Sequence, residues 1–111
     1  MLRVVTANVN GIRAAQRRGV ETWLAQRRPD VLCLQEVRAD DATLAGVVGP
    51  DWHTVHEEST VKGRAGVAVL SRSEPAHVRR GLGEFAGTGR WVESDHRVVG
   101  EPGLLTVVSV Y

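Results

Sequence analysis

Val31-Leu32-Cys33-Leu34-Gln35-Glu36 reads as a strand that runs out into two polar residues. Four consecutive apolar residues without alternation suit a buried strand, and the polar pair marks where it ends. Upstream, Leu2–Ala7 is a second run rich in β-branched residues, broken by Asn8-Val9-Asn10-Gly11. Between the two, Ile12, Ala15, Val20, Trp23 and Leu24 approximate helical spacing, and Pro29-Asp30 closes the segment, so one helix is expected over 12–28. Two strands separated by one helix can lie side by side in a sheet. The tips Ala7-Asn8 and Gln35-Glu36 would then share one rim.

Downstream, Asp40–Val48 predicts a short helix with an Asp cap and Leu44, Val47 and Val48 inward. Strands are expected over Trp52–Glu57, Ala65–Ser71, Ala76–Leu82, Arg90–Val99 and Leu104–Tyr111, with the basic loop Lys62-Gly63-Arg64 before the second of these. About seven strands and two helices, with consecutive strands dominating the second half, fit a layered α/β or α+β fold with much antiparallel pairing. Leu104–Tyr111 is apolar on both faces, as a central strand would be. A chain that stops inside such a strand is expected to be the N-terminal portion of a longer domain.

The 111 residues suffice for one small domain, burying roughly two-thirds of its unfolded surface. At 42% hydrophobic and 24% charged residues, the composition is that of a globular chain. No apolar run approaches the roughly 18 residues of a membrane span, and no secretory signal is expected. Cys33 is the single cysteine, which excludes an internal disulfide and a cysteine-cluster zinc site and fits a reducing, cytoplasmic setting. A net charge of +1 gives no general attraction to nucleic acid, so any such face must be local. Lys62 is the one lysine among 14 basic residues. Arginine's planar fork suits phosphate, although a GC-rich genome produces the same skew.

Three groups of residues could carry chemistry. Asn8-Val9-Asn10-Gly11 is a turn signal, yet asparagines at i and i+2 of an extended chain point the same way and could serve a metal, a carboxylate or a phosphate. Glu36 is either the first solvated residue after its strand or an oxygen ligand for a hard cation such as Mg²⁺. Arg13, Arg38, Lys62 and Arg64 are either scattered surface charges or, if the rim is shared, donors to phosphate around that cation. His53 and His56 point to opposite faces of an extended segment and suit a zinc pair poorly. Trp23 and Trp52 are expected to be core aromatics, Trp91 to be buried or, alternatively, to stack near DNA, and Cys33 to be a small buried hydrophobe.

Thr6-Ala7-Asn8-Val9-Asn10-Gly11-Ile12-Arg13-Ala14, Leu32-Cys33-Leu34-Gln35-Glu36-Val37-Arg38, Lys62-Gly63-Arg64-Ala65-Gly66-Val67-Ala68-Val69, Gly89-Arg90-Trp91-Val92-Glu93 and Val107–Tyr111 follow one another in that order. In these words the chain closely resembles the N-terminal half of the exonuclease III family of abasic-site endonucleases. That family sits within the wider endonuclease/exonuclease/phosphatase superfamily. The leucine-glutamine-glutamate word is shared across much of the superfamily. The asparagine-glycine-x-arginine-alanine word is narrower and favours the DNA-repair branch over phosphatases and sphingomyelinases.

The resemblance implies an α/β fold, the DNase I-like four-layer α/β-sandwich, of which residues 1–111 would supply about half. That half amounts to about one sheet with its helices, leaving an inner sheet face exposed. It implies Mg²⁺, or alternatively Mn²⁺, as cofactor and double-stranded DNA with abasic or 3′-damaged sites as partner, with the full-length protein a monomer away from membranes. Glu36 matches the metal-binding glutamate, Asn8 the asparagine beside the metal, and Asn10 a second polar position at the same rim. Arg13 and Ala14 match the loop that touches the DNA backbone, and Arg64 and Arg90 fall in segments lining the DNA face. Tyr111 matches the active-site tyrosine that contacts the target phosphate. The family's later glycine-aspartate-x-asparagine and serine-aspartate-histidine words are absent, so the chain is expected to be catalytically incomplete. It would then act as an inactive fragment, or as a degenerate one with weak DNA or protein binding. Ser94-Asp95-His96 imitates the last word but precedes the tyrosine strand, and is not expected to act as one.

Overall fold

The computed structural model describes residues 1–111. The two strands that open the chain, β1 (Val4–Asn8) and β2 (Val31–Gln35), pair in parallel. Their register sets Val4 opposite Val31 and Asn8 opposite Gln35, so both end level with each other. The connection is two helices instead of the one expected, α1 (Ile12–Arg17) and α2 (Val20–Arg27). Gly19 is the cause: at φ 91° it lies in the left-handed region that glycine enters without steric cost, and it re-aims the chain between the two segments. The apolar spacing survives the break. Ile12, Ala15 and Leu24 are buried, with Val20 and Trp23 packed against them.

After β2 come α3 (Asp41–Val48), β3 (His53–Glu57) and β4 (Val67–Ser71). The carboxylate of Asp40 accepts from the Thr43 N–H at 2.8 Å and caps α3. Strand β4 inserts between β2 and β3, antiparallel to both, in the order β1-β2-β4-β3. The rest of the chain forms a second, wholly antiparallel sheet, β5 (His77–Arg80), β6 (Trp91–Arg97) and β7 (Leu104–Val110), with a 3₁₀ turn at Gly83–Phe85.

Alternation along β2 and β4 builds two apolar layers. Leu32, Leu34, Ala68 and Leu70 face the helices and meet Ile12, Leu24 and Leu44. Val31, Cys33, Val67 and Val69 face the other way and, with Val55, meet Val92 and Val107 of the second sheet. The uninterrupted apolar run at 31–34 is thus explained by burial on both faces. No helix is long and apolar enough to cross a membrane.

One expectation needs correction. The chain supplies parts of two stacked sheets, not one, because Val92 and Val107 of the second sheet pack onto the apolar face that β2, β4 and β3 share. The covering stops short of β1: Val4 shares the face of Val31 yet is 46% exposed. Within residues 1–111, strand β7 pairs only with β6. Leu104, Leu105 and Val110 remain exposed along it.

Candidate active-site rim

Beyond the ends of β1 and β2 the backbone pairing continues into the loops. Val9 N–H donates to Gln35 O (3.0 Å), Gly11 to Glu36 O (2.7 Å) and Ile12 to Val37 O (2.9 Å). The second loop is tied in turn to the residues before β4, through Val37 N–H to Gly66 O (3.0 Å) and Arg38 N–H to Ala65 O (2.9 Å). Gly66 N–H then donates to Gly89 O at 2.9 Å. Four loops, distant in sequence, are laced at one point. Asn10, Glu36, Arg38 and Ala65 all sit there at φ between 47° and 52°. Non-glycine residues adopt that conformation only where their surroundings impose it.

Glu36 is the centre of the rim. Its Oε1 accepts from Asn8 Nδ2 at 3.0 Å and its Oε2 from Arg38 at 2.8 Å. The Tyr111 phenol stands near the same carboxylate and favours its charged form. Asn8, then Tyr111, and more weakly Arg38 hold this acid below the ordinary range of a glutamate, against a small opposing effect of desolvation. The Asn8 side chain is fixed at its other end, where its Oδ1 accepts from the Asn10 N–H at 3.0 Å. The amide therefore presents donors to Glu36.

Tyr111 answers in the opposite direction. Its phenol lies above its ordinary value, first through its interaction with the nearby Glu36 carboxylate as acceptor and then through that residue's negative charge; Arg90 and Arg38 pull weakly the other way. A raised tyrosine pKa favours the protonated form. The phenol's contribution to stability is present below the unfolded value of about 10 and is lost as pH rises through the folded value. Since Tyr111 is the single tyrosine, NMR or ultraviolet titration reads it alone. The wild-type phenol is expected to ionise above pH 10 and to return toward about 10 in Glu36→Gln. A wild-type midpoint at or below 10 would contradict the contact.

Arginines surround this centre. Arg38, Arg64, Arg90 and Tyr111 line one open cleft of about 610 Å³. Arg13, Arg38, Lys62 and Arg64 line an adjoining cleft of about 380 Å³, which Asp40 and Glu58 also border. The Arg90 guanidinium carbon stands 5.2 Å from the centre of the Tyr111 ring, within cation–π range. The structure thus gathers Asn8 and Glu36 in contact and Tyr111 near them, with Asn10 beside Asn8 and Arg13, Arg64 and Arg90 lining the adjoining clefts. Ala14 lies half-buried on α1 and lines neither cleft.

Two features escaped the sequence reading. Gln35 donates to Thr6 Oγ1 and to Ser109 Oγ, both at 3.0 Å, and Ser109 donates on to Leu34 O at 2.8 Å. This chain fastens β7 to β1 and β2 and brings Tyr111 within reach of Glu36; only the polarity of Gln35 after an apolar run hinted at it. The second is Glu57, which is buried and taken up below.

The remaining polar groups are structural. Ser94 and His96 point between the sheets, where Ser94 Oγ lies 2.6 Å from His96 Nε2, while Asp95 points outward. There Asp95 accepts from Arg79 (2.8 and 3.0 Å) and Thr106 (2.7 Å). Alternation therefore prevents the three from acting together. His53 is exposed, whereas His56 is buried with Nδ1 2.7 Å from Asp41 Oδ1. Burial pushes the Cys33 thiol up to about 11, which leaves it inert. Trp23, Trp52 and Trp91 are half-buried instead of fully enclosed, Trp52 lying under Arg72 at 3.6 Å and Trp91 donating to Glu93 at 2.9 Å.

A divalent ion would find hard oxygen donors here. Mg²⁺ takes one or two carboxylates and retains several waters. Glu36 offers a carboxylate, and Asn8 Oδ1 has a lone pair beyond the one directed at Asn10. No group of three or more His, Cys, Asp or Glu side chains gathers anywhere in the chain, so an ion at the rim rests on Glu36 and neutral oxygens.

The Endonuclease/Exonuclease/phosphatase family matches residues 5–102. Among curated relatives, exodeoxyribonuclease III of Haemophilus influenzae is 31% identical over 114 aligned residues, covering 99% of this chain and 41% of that protein. The DNA repair nuclease APEX1 of Danio rerio is 36% identical over 87 residues, covering 75% and 28%. Of solved structures, an AP endonuclease from Archaeoglobus fulgidus superposes with a TM-score of 0.72 at 31% identity, over 100% of this chain and 41% of its own. The Xenopus laevis APE2 catalytic domain gives 0.78 at 28%, over 99% and 45%. The chain spans less than half the length of these proteins, and within that span its two stacked sheets follow their DNase I-like α/β fold. From the strand tips that meet at Glu36 to this agreement in sequence and fold, residues 1–111 belong to the Endonuclease/Exonuclease/phosphatase family.

Proposed function

We propose that residues 1–111 are the N-terminal portion of a single nuclease domain, and form one wall of a Mg²⁺-assisted phosphodiesterase site. Its substrate is double-stranded DNA with an abasic site or a damaged 3′ end. The observation that carries this reading is the Glu36 carboxylate, held by Asn8, Arg38 and Tyr111 beside a cleft lined with Arg38, Arg64 and Arg90.

Each residue has a role set by its chemistry. Glu36, with the Asn8 amide oxygen, would hold the ion, and Mn²⁺ is the alternative to Mg²⁺. A bound divalent cation supplies charge neutralisation for a phosphoryl oxygen. Tyr111 keeps its proton across the neutral range and can donate it in a hydrogen bond to a phosphate oxygen. Arg13, Arg64 and Arg90 offer forked donors to the DNA backbone, and Asn10 and Ala14 belong, in this proposal, to the loop that meets it. The complete protein acts, in this proposal, as a cytoplasmic monomer at DNA.

The resemblance places the general base and the catalytic histidine in words that residues 1–111 do not contain, and the Glu36 oxygens already accept from Asn8 and Arg38. We therefore expect the 111-residue chain to bind duplex DNA in a salt-dependent way and to cleave an abasic-site duplex negligibly, with Mg²⁺ or with chelator. Sustained Mg²⁺-dependent turnover would overturn the claim of incompleteness, and absence of any DNA binding would remove the DNA-facing role of the cleft.

A further inference from the structure

Glu57 ends β3 on the same face as Val55, so its side chain enters the space between the two sheets. It is 7% exposed and has no ion-pair partner; the neighbouring Arg80 directs its Nε to the His56 carbonyl at 3.1 Å. A buried carboxylate must find donors, and these are backbone amides of one loop. Oε1 accepts from Gly87 N–H at 3.1 Å, and Oε2 accepts from Arg90 N–H at 3.2 Å and Trp91 N–H at 3.5 Å. The pocket is tight, because a Cβ at Gly81 would stand 3.1 Å from Oε1 and 2.8 Å from the Ala86 Cβ.

The amides that Glu57 holds lead directly to the rim. The Arg90 peptide is gripped at both ends, its N–H by Glu57 and its C=O by the Tyr111 N–H at 2.9 Å. Tyr111 in turn reaches Glu36. We propose that Glu57 is a positioning residue: its carboxylate fixes the Gly87–Trp91 loop and thereby sets where Arg90 and Tyr111 stand relative to Glu36. The consequence for DNA rests on the reading of the cleft given above, whereas the fixing of the loop does not.

Glu57→Gln keeps the volume but turns an NH₂ toward amides that need an acceptor. In the 111-residue chain we expect the Gly87, Arg90 and Trp91 amide protons to move upfield and to exchange faster. Duplex affinity at fixed salt should fall about tenfold, the scale of a displaced phosphate contact. In an Arg90→Ala background Glu57→Gln should cost clearly less, only the part carried through Tyr111, which a merely structural role would not produce, since general destabilisation adds in full to the loss of Arg90. Unmoved amides, or an equal loss in both backgrounds, would overturn the proposal. Should the variant fail to fold, amide exchange in the wild type decides: protection of all three amides well above their loop neighbours supports the role, and exchange at loop rates refutes it. A wild type that binds no DNA would sink the functional reading while the amide measurements still judge Glu57.

Discussion

Glu36→Gln is expected to lower the affinity of the 111-residue chain for Mg²⁺ or Mn²⁺ by at least about 100-fold, because even partners one step removed from a metal are commonly worth 10–100-fold. Titration calorimetry or Mn²⁺ electron paramagnetic resonance reads the loss directly. The same substitution should have the opposite effect on DNA binding in chelator. Glu36 places a negative charge beside the cleft and occupies Arg38 at 2.8 Å, so its neutral replacement removes a repulsion and frees a guanidinium for phosphate. Several-fold tighter duplex binding without divalent ions, together with loss of any response to Mg²⁺, is the predicted pair of results. The pH dependence follows from the depressed pKa of Glu36. A carboxylate held below its ordinary range stays ionised through neutral and mildly acidic pH. Its contribution to stability is present above the unfolded pKa and disappears as pH falls through the folded one. Metal binding should accordingly persist to the acid side of the usual glutamate midpoint. An unaltered Mg²⁺ response in Glu36→Gln would mean that the ion, if bound, rests elsewhere.

Local signals carried the centre of this site because its parts lie at the ends of regular elements. The apolar run at 31–34 and the β-branched run before Asn8 specify two buried strands. Their parallel register follows once a helical connection packs on one face, and the register delivers Asn8 and Glu36 to each other. The arginine loops were legible as composition, but their convergence depends on Gly66 and Gly89, which no periodicity marks. The break at Gly19 was missed because the apolar spacing on either side remains in phase with the core. Glu57 was least accessible of all. A carboxylate satisfied by backbone N–H groups from residues 87–91 leaves no local pattern, since its partners lie 30 to 34 positions away.

Gly89→Ala is expected to be the most destabilising single methyl in the chain. Gly89 has φ +71°, and a Cβ there would lie 2.7 Å from the Gly66 nitrogen and 2.8 Å from the Ser59 nitrogen. Both obstacles are backbone, so no side chain can turn aside. The left-handed conformation adds strain of about 1–2 kcal/mol for a residue bearing a Cβ, and forced displacement of packed backbone adds about 1–3 kcal/mol. The sum, about 2–5 kcal/mol, is a large fraction of the roughly 5–15 kcal/mol that stabilises a small domain, and corresponds to a fall in Tm on the order of 10–20 °C. Gly100→Ala is the control: it carries the same kind of φ, +87°, with nothing within 4 Å of the added methyl, and should lose only the strain. Calorimetry on both variants separates conformation from close approach. The damage from Gly89→Ala should also be directed, because Gly66 N–H bonds to Gly89 O and Gly66 O receives Val37 N–H next to Glu36. Divalent-ion affinity measured below the lowered Tm should therefore fall in Gly89→Ala and hold in Gly100→Ala. Equal losses of Tm in the two variants would show that the loops do not pass at contact there, and would break the route by which Arg90 is tied to Glu36.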